Sequence, residues 1–306
     1  MSVADMIEKG SKIAITVCSN GQQESYKDKI NHLLTQIRQI GFEPVCSDFL
    51  YERDSYFSGT GEERARALMD FYENPEIAAI FDISGGDIAN EVLEYLDYEI
   101  IKQNPKPFYG YSDLTTVLNA IYAKTGNPGG LYQIRNLIYE DGNRQIEDFE
   151  KTFLEGEANL NDFSYFFIQE SYMEGTVIGG NIRCFLKLAG TQYMPDFSGK
   201  ILLLEALNAT SAQVATYLCQ LKQLGAFEKV NGILLGTFTR LDSEIFVPSV
   251  EELVQRIAGR DIPVARTMEI GHGTDSKCIY IGKYLRLQEG KQLEYGMNTG
   301  IDRYNE

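Results

Sequence analysis

Tryptophan is absent from this chain of 306 residues, and histidine occurs only twice, as His32 and His272. Cysteine is sparse as well, because the five cysteines are widely spaced and no Cys-x-x-Cys occurs. This pattern excludes a disulfide framework and a cysteine zinc site. Reduced thiols are typical of cytosolic proteins, so the sequence predicts a cytoplasmic protein. Because histidine occurs only twice, a histidine general base can be sought at only two positions.

Basic residues are few relative to acidic ones: 28 lysines and arginines stand against 44 aspartates and glutamates, which gives a net charge of −16. Nucleic acids and anionic membrane surfaces both require basic patches, so neither is expected as a partner. No apolar run approaches the roughly 18 residues of a membrane span. Residues 1–10 do not resemble a signal peptide. The acidic excess itself is typical of a soluble protein.

The first half of the chain alternates between strand and helix patterns. Strands are predicted at residues 12–17, 42–46, 78–83 and 107–111, and helices at 25–40, 61–72, 87–102 and 114–124. This alternation predicts a mostly parallel sheet, whose ligands bind beyond the carboxyl ends of the strands. Ser19-Asn20, Ser84-Gly85-Gly86 and Ser112 all fall at such ends, so these three loops are a candidate site.

The pattern changes after residue 126. Residues 127–137 are expected to form a loop, 144–154 an amphipathic helix, 163–180 antiparallel strands, 200–204 and 232–235 further strands, and 211–224 a helix. We therefore expect an α/β fold: an N-terminal parallel-sheet domain (1–140), a linker and helix (141–165), and a second, smaller α/β domain with antiparallel strands (166–306).

Ser112 is a candidate nucleophile. It follows a short apolar strand in Gly110-Tyr111-Ser112-Asp113, and a helix begins directly after it. A serine at a sharp strand-to-helix turn has an exposed hydroxyl near the positive end of a helix. The second glycine of the usual Gly-x-Ser-x-Gly turn is missing, and a serine that only caps the following helix is an alternative.

His272, with a glycine on each side, is the better candidate for a general base. His32 lies off the apolar stripe of its predicted helix and is interpreted as structural. Glu205 ends a buried strand, where a carboxylate could orient an imidazole. Three other acids, Asp82, Asp113 and Asp275, remain possible in that role, and Asp113 could instead cap its own helix. His272 and Asp275 alone are too few ligands for a metal site.

Gly85-Gly86 precedes a predicted helix, but the Gly-x-Gly-x-x-Gly dinucleotide pattern is absent. A phosphate-binding turn is therefore a weak interpretation. A backbone N–H that stabilises an oxyanion is chemically as plausible, because glycine lets a substrate approach closely.

Several segments resemble the LD-carboxypeptidase family of serine peptidases, which includes muropeptide LD-carboxypeptidases and microcin C self-immunity peptidases. The matching segments lie in the family's order: Lys12-Ile13-Ala14-Ile15, Ile80-Phe81-Asp82-Ile83-Ser84-Gly85-Gly86, Gly110-Tyr111-Ser112-Asp113, Gly179-Gly180-Asn181, Gly199 to Glu205, and Gly271-His272. The resemblance implies a Ser-Glu-His triad of Ser112 as nucleophile, Glu205 as orienting acid and His272 as general base. It also implies a backbone oxyanion hole at Asp113 and Gly85 or Gly86.

The resemblance further implies a small substrate, no metal or organic cofactor, and a homodimer. Two substrate classes stay open: a peptidyl or aminoacyl nucleotide of the microcin C kind, slightly favoured by Asn90-Glu91 and nearby residues, or a muropeptide. Asn90 and Arg183 are candidate substrate contacts. The segment around Gly129-Gly130 and the residues after His272 depart from the family pattern, so an inactive binding homologue is a further alternative.

Overall fold

The structure is a computed structural model that describes residues 6–243 and 247–296. The stretch at residues 1–10, for which the sequence predicts no signal peptide, lies partly outside these residues. Two mixed sheets with flanking helices form the fold. Within the described residues, no helix is both long and apolar enough to cross a membrane.

The first sheet has six strands in the order β11-β5-β4-β3-β1-β2. Its strands are β1 (Lys12–Thr16), β2 (Glu43–Cys46), β3 (Ile77–Asp82), β4 (Phe108–Gly110), β5 (Gly129–Leu131) and β11 (Ile279–Ile281). The pairs among β1 to β5 are parallel, and β11 returns from the far end of the chain to pair antiparallel with β5. The predicted parallel N-terminal sheet is confirmed.

The second sheet has seven strands in the order β13-β12-β7-β8-β9-β10-β6. They are β6 (Phe166–Gln169), β7 (Tyr172–Asn181), β8 (Lys200–Ala206), β9 (Gly232–Phe238), β10 (Val264–Arg266), β12 (Tyr284–Gln288) and β13 (Glu294–Gly296). Strands β7 to β10 run parallel, whereas β6, β12 and β13 pair antiparallel at the two edges. The expected α/β fold with antiparallel strands in its second half is confirmed.

Helices cover both sheets. They are α1 (Lys27–Ile40), α2 (Gly61–Glu73), α3 (Tyr98–Gln103), α4 (Thr115–Thr125), α5 (Gly142–Phe153), α6 (Ile182–Phe185), α7 (Ser211–Gln223), α8 (Thr239–Asp242) and α9 (Val250–Ala258), with short 3-10 turns between several of them. Sequence signals explain several boundaries. Gly41 ends α1 in the left-handed conformation, and Thr60 begins α2 with a capping box to Glu63.

Helix α4, which follows Ser112, packs closely against β7 of the second sheet. The Asn119 side chain donates to the carbonyl of Gly179 at 2.8 Å and accepts from its N–H at 2.9 Å. A Cβ on Gly180 would lie 2.7 Å from Oγ1 of Thr115. The two glycines therefore let the element carrying Ser112 approach the second sheet.

Gly179→Ala is expected to lower the free energy of unfolding by about 3 kcal/mol or more, since the new Cβ combines overlap with an unfavourable backbone. The residue has φ +99°, and its Cβ would overlap the carbonyl oxygen of Leu203. Gly190→Ala is the matched control, because Gly190 has φ +78° with open space around it, and about 1 kcal/mol is expected. Urea denaturation measures both; equal losses would contradict the packing argument.

The helix predicted at 87–102 is wrong as a single element. A 3-10 segment covers Ala89–Tyr95, and α3 starts afresh at Tyr98. The Asp97 side chain accepts from the N–H groups of Glu99 and Ile100, so it caps a new helix in place of continuing the old one.

The loop predicted at 127–137 contains β5, a strand paired on both sides, so this prediction is also wrong. Two glycines in three residues indicate a loop by composition, but here they serve close packing. A Cβ on Gly130 would overlap the ring of Tyr109 on the neighbouring strand. Tertiary contact therefore overrides the low strand preference of glycine.

Helix α5 lies within residues 141–165, the segment expected to contain a linker and a helix. Its apolar residues Phe149 and Phe153 are fully buried, and both rings contact Phe81 of β3. The helix thus belongs to the core beneath the first sheet. The domain limits at 140 and 166 stay a prediction.

Candidate active site

Ser112 occupies a strained turn between β4 and α4. Its φ is +56°, one of the few positive values among non-glycine residues in the described chain. Left-handed backbone at a residue with a side chain costs about 1–2 kcal/mol and is found at functional turns. Tyr111, not Ser112, holds the cap position of the following 3-10 turn, so the capping alternative for Ser112 is wrong.

The Ser112 hydroxyl contacts an imidazole that in turn contacts a carboxylate. Oγ of Ser112 lies 3.1 Å from Nε2 of His272, and Nδ1 of His272 lies 2.7 Å from Oε2 of Glu205. Glu205 comes from β8 and is fully buried, and His272 comes from the loop after β10. Three distant segments thus meet in one hydrogen-bonded chain, which can move a proton away from a serine hydroxyl.

The three rival acids have other positions. The Asp82 side chain accepts from the N–H groups of Cys18 and Ser84, both at 2.7 Å. Asp275 is exposed. The other candidate histidine, His32, is exposed on α1 and contacts only Gln36 among the hydrogen bonds described.

Asp113 is buried and does not cap its own helix with its side chain. Its carboxylate accepts from Oγ of Ser19 at 2.7 Å, from the Ala89 N–H at 2.8 Å and from Nζ of Lys187 at 2.5 Å. These bonds connect the turn that carries Ser112 to the loop after β1, to the 3-10 segment Ala89–Tyr95 and to the 3-10 turn Leu186–Leu188. The predicted loop at Ser19 therefore contacts the turn that carries Ser112 through the Asp113 carboxylate.

Two cavities flank Ser112. One, of about 360 Å³, is lined by Gly86, Asn181, Arg183, Asn208 and Tyr217 among others. The other, of about 280 Å³, is lined by Gly85, Gly86, His272, Arg135 and Lys277 among others. Ser112, Gly86 and Leu207 line both, so a bound chain could pass across the serine from one cavity into the other.

No metal centre is evident in this region. Across residues 6–243 and 247–296, no group of three or more His, Cys, Asp or Glu side chains is placed to hold a metal ion.

The sequence matches the LD-carboxypeptidase N-terminal domain over residues 13–133 and the LD-carboxypeptidase C-terminal domain over residues 174–287. The chain belongs to the LD-carboxypeptidase family. It is accordingly a serine-type carboxypeptidase, and the family and enzyme class predicted from the sequence are confirmed.

Relatives of this LD-carboxypeptidase include proteins of two kinds. The microcin C7 self-immunity protein MccF of Escherichia coli is 29% identical over 284 residues, covering 82% of this chain and 83% of that protein. A probable murein peptide carboxypeptidase of Bacillus subtilis is 25% identical over 290 residues, covering 89% of each. A solved structure of MccF with glutamyl sulfamoyl guanosine has a TM-score of 0.84 at 24% identity, covering 96% of this chain and 98% of that chain, and so shares the fold.

In this LD-carboxypeptidase, Arg183 contacts the turn that contains Gly85 and Gly86. Its guanidinium pairs with the Asp87 carboxylate and donates to the Gly86 carbonyl at 3.1 Å. Lys187 adds a bond to the Asp87 carbonyl at 2.7 Å. Arg183 also lines the larger cavity, so its role as a substrate contact stays a prediction. Asn90 is exposed and is not among the described residues that line either cavity.

Two residues that the sequence analysis missed hold Glu205. Nδ2 of Asn181 donates to Oε1 at 2.9 Å, and the Tyr111 hydroxyl donates to Oε2 at 3.2 Å. Burial and the nearby Glu205 carboxylate raise the pKa of Tyr111 well above its usual value, so the phenol stays a donor. The Tyr111 ring also meets His272 edge-on, with centroids 4.9 Å apart. The position of Tyr111, next to Ser112, was the one available signal.

Tyr111→Phe is expected to lower kcat about tenfold, because the carboxylate that contacts His272 loses a donor while the ring packing is kept. Tyr132→Phe is the matched control: Tyr132 is also buried, but its hydroxyl donates to Gln145, away from Glu205. Steady-state kinetics measures kcat for both variants, and thermal melting shows whether either variant is destabilised. Equal kcat for the two variants would show that the Tyr111 hydroxyl does not support the reaction.

Proposed function

We propose that this carboxypeptidase cleaves an amide bond with a Ser112–His272–Glu205 triad. The observation that supports this most strongly is the chain of hydrogen bonds from the Ser112 hydroxyl through both nitrogens of His272 to the buried Glu205 carboxylate. This arrangement suits nucleophilic catalysis, and the chain order Ser, Glu, His does not matter because triads depend on roles.

In this proposal, His272 takes the hydroxyl proton as Oγ of Ser112 attacks the substrate carbonyl. Glu205 accepts a hydrogen bond from Nδ1 and stabilises the imidazolium that forms. The N–H of Asp113, with that of Gly85 or Gly86, stabilises the negative oxygen of the tetrahedral intermediate. His272 then protonates the leaving amine, and water releases the acyl group from Ser112 by the reverse sequence.

We propose a modified peptide or a peptidyl or aminoacyl nucleotide as the substrate, cut near its C-terminal end. The likeness to the microcin C7 self-immunity protein and the two cavities beside Ser112 support this class. Since the chain contains no tryptophan, a nucleobase would have to stack on another aromatic ring. Tyr139 lines the smaller cavity and Tyr217 the larger, so a ring is present on each side.

A muropeptide cut before its terminal D-alanine is the second candidate, supported by the murein peptide relative. Mass spectrometry of products from a muropeptide tetrapeptide and from a microcin-C-like peptidyl nucleotide decides between them. Cleavage of the nucleotide substrate, lost in Ser112→Ala, is the expected result. Cleavage of only the muropeptide would overturn the substrate class but keep the triad, and cleavage of neither would leave a different amide substrate or an inactive site.

We further propose a homodimer in the cytoplasm, as the family resemblance implies. Size-exclusion chromatography with light scattering is expected to give twice the chain mass of 34.5 kDa. A single chain mass at micromolar concentration would contradict the dimer.

A further inference from the structure

The two cavities beside Ser112 differ in their relation to His272. His272 lines the 280 Å³ cavity and is not among the described residues lining the 360 Å³ cavity. In a serine hydrolase the base returns its proton to the leaving amine, so the leaving group must lie on the side of the imidazole. The smaller cavity is therefore the leaving-group side, an argument that depends on the triad proposed above.

Three cationic side chains line the cavities, and two of them have acidic partners. Arg183 pairs with Asp87, and Lys277 pairs with Asp148 at 2.8 Å. Arg135, in the leaving-group cavity, has no carboxylate within ion-pair distance among residues 6–243 and 247–296. Its Nη1 donates only to the neutral Oε1 of Gln22, at 3.3 Å.

Other arginines of the described chain, such as Arg38 and Arg256, also lack an ion-pair partner, but neither of these lines a cavity beside Ser112. The half-buried position of Arg135 also weakens the screening of its charge by water. Arg135 thus puts a positive charge in the lining of the cavity that Ser112 and His272 also line, and it lines a neighbouring cavity with Gln22 as well. An anion in the first cavity would be attracted to this charge.

Unpaired donors cluster at the same place. Nε of Arg135 and Nδ2 of Asn136 are buried and have no hydrogen-bond partner in the described chain. Asn136 is 4% exposed and lines the same cavity. Buried donors without acceptors cost free energy, so a missing acceptor is the expected explanation.

We propose that Arg135, supported by Asn136, forms an oxyanion-binding subsite for the leaving group. The ligand is the anionic group of the part that is released: the α-carboxylate of a C-terminal amino acid, or the phosphate of a nucleotide. Arginine binds both groups through paired hydrogen bonds. A cavity of about 280 Å³ is at the small end for ligand sites, which fits one amino acid or a compact phosphate. The subsite would select substrates whose leaving group carries a negative charge next to the cleaved bond.

The test compares leaving groups that carry a carboxylate or phosphoryl anion with analogues that lack it, by direct binding, so it needs no turnover. Ligand-observed NMR measures the dissociation constants of D-alanine and D-alaninamide, and of adenosine 5′-phosphoramidate and adenosine. The proteins are the wild type, Arg135→Gln, Arg135→Lys and the control Arg38→Gln, which changes an exposed arginine on α1. Thermal melting checks that each variant folds, and Arg135→Lys keeps the charge if Arg135→Gln does not fold.

We expect at least one ligand that carries the anionic group to bind the wild type at least about tenfold more tightly than the analogue that lacks this group. Arg135→Gln is expected to remove this preference, Arg135→Lys to keep part of it, and Arg38→Gln to keep all of it. Preference for D-alanine identifies the carboxylate source, and preference for the phosphoramidate identifies the phosphate source. Equal binding of the ligands with and without the anionic group, or a preference that survives in Arg135→Gln, would overturn the subsite.

Failure of the subsite can be told apart from failure of the triad. If a serine-directed probe labels Ser112 but binding shows no charge preference, the triad stands and the subsite is rejected. If binding depends on Arg135 but Ser112 is not labelled, the subsite stands as a binding site and the catalytic proposal is rejected.

Discussion

Ser112→Ala is expected to lower kcat by about 10⁴-fold or more, the largest effect of any single change in this protein. The hydroxyl is the atom that attacks, and no water positioned by the remaining groups replaces it efficiently. KM should change little, because the cavities on either side of residue 112 keep their lining. Steady-state kinetics on the substrate identified by mass spectrometry measures both constants.

The control for this variant is Ser198→Ala, which removes an exposed serine hydroxyl in the turn before β8. Its kcat should equal that of the wild type. Ser112→Ala should also melt no lower than the wild type, because alanine accepts the same φ of +56° and leaves no cavity. A kcat within tenfold of the wild type would reject Ser112 as the nucleophile.

Glu205→Gln is expected to lower kcat by about 10³- to 10⁴-fold, as for the equivalent change in other triads. The amide has nearly the shape of the carboxylate, but it no longer carries the charge that stabilises a protonated His272. Its NH₂ group can also face Nδ1, which favours the wrong tautomer of the imidazole. The Asn181 and Tyr111 donors would then face an amide in place of two carboxylate oxygens.

The matched control is Asp275→Asn, which neutralises the exposed acid near His272 in sequence. We expect kcat to stay within about twofold of the wild type, since exposed charges are well screened. A large loss in Asp275→Asn together with a small loss in Glu205→Gln would exchange the roles that we assign to the two acids.

The parts of the site that could be predicted have local sequence signals. Ser112 follows an apolar strand and precedes a helix, His272 lies between two glycines, and Glu205 ends the apolar run of β8. The strained φ of Ser112 agrees with the turn expected there. Parallel strands bring their carboxyl ends to one edge, so the strand-helix alternation predicted that the loops at Ser19, Ser84 and Ser112 lie near one another, but it did not predict the contribution of the second sheet.

The parts that could not be predicted depend on contacts between distant segments. Strand β5 contains two glycines and is formed because β4 and β11 pair on its two sides. Asn181 reaches Glu205 only because β7 and β8 are parallel neighbours, with these two residues in register. The bonds from Arg183 to Gly86 and Asp87 join segments nearly a hundred residues apart, and a surface arginine has no sequence signal for such a contact.

In the proposed mechanism, Ser112 is a nucleophile activated by His272. Incubation with a fluorophosphonate probe, followed by intact-protein mass spectrometry and peptide mapping, tests it most directly. We expect one adduct per chain, located on Ser112, absent in Ser112→Ala and formed much more slowly in His272→Ala. No adduct on the wild type, an adduct on another residue, or equal labelling rates with and without His272 would show that Ser112 is not a nucleophile activated by His272.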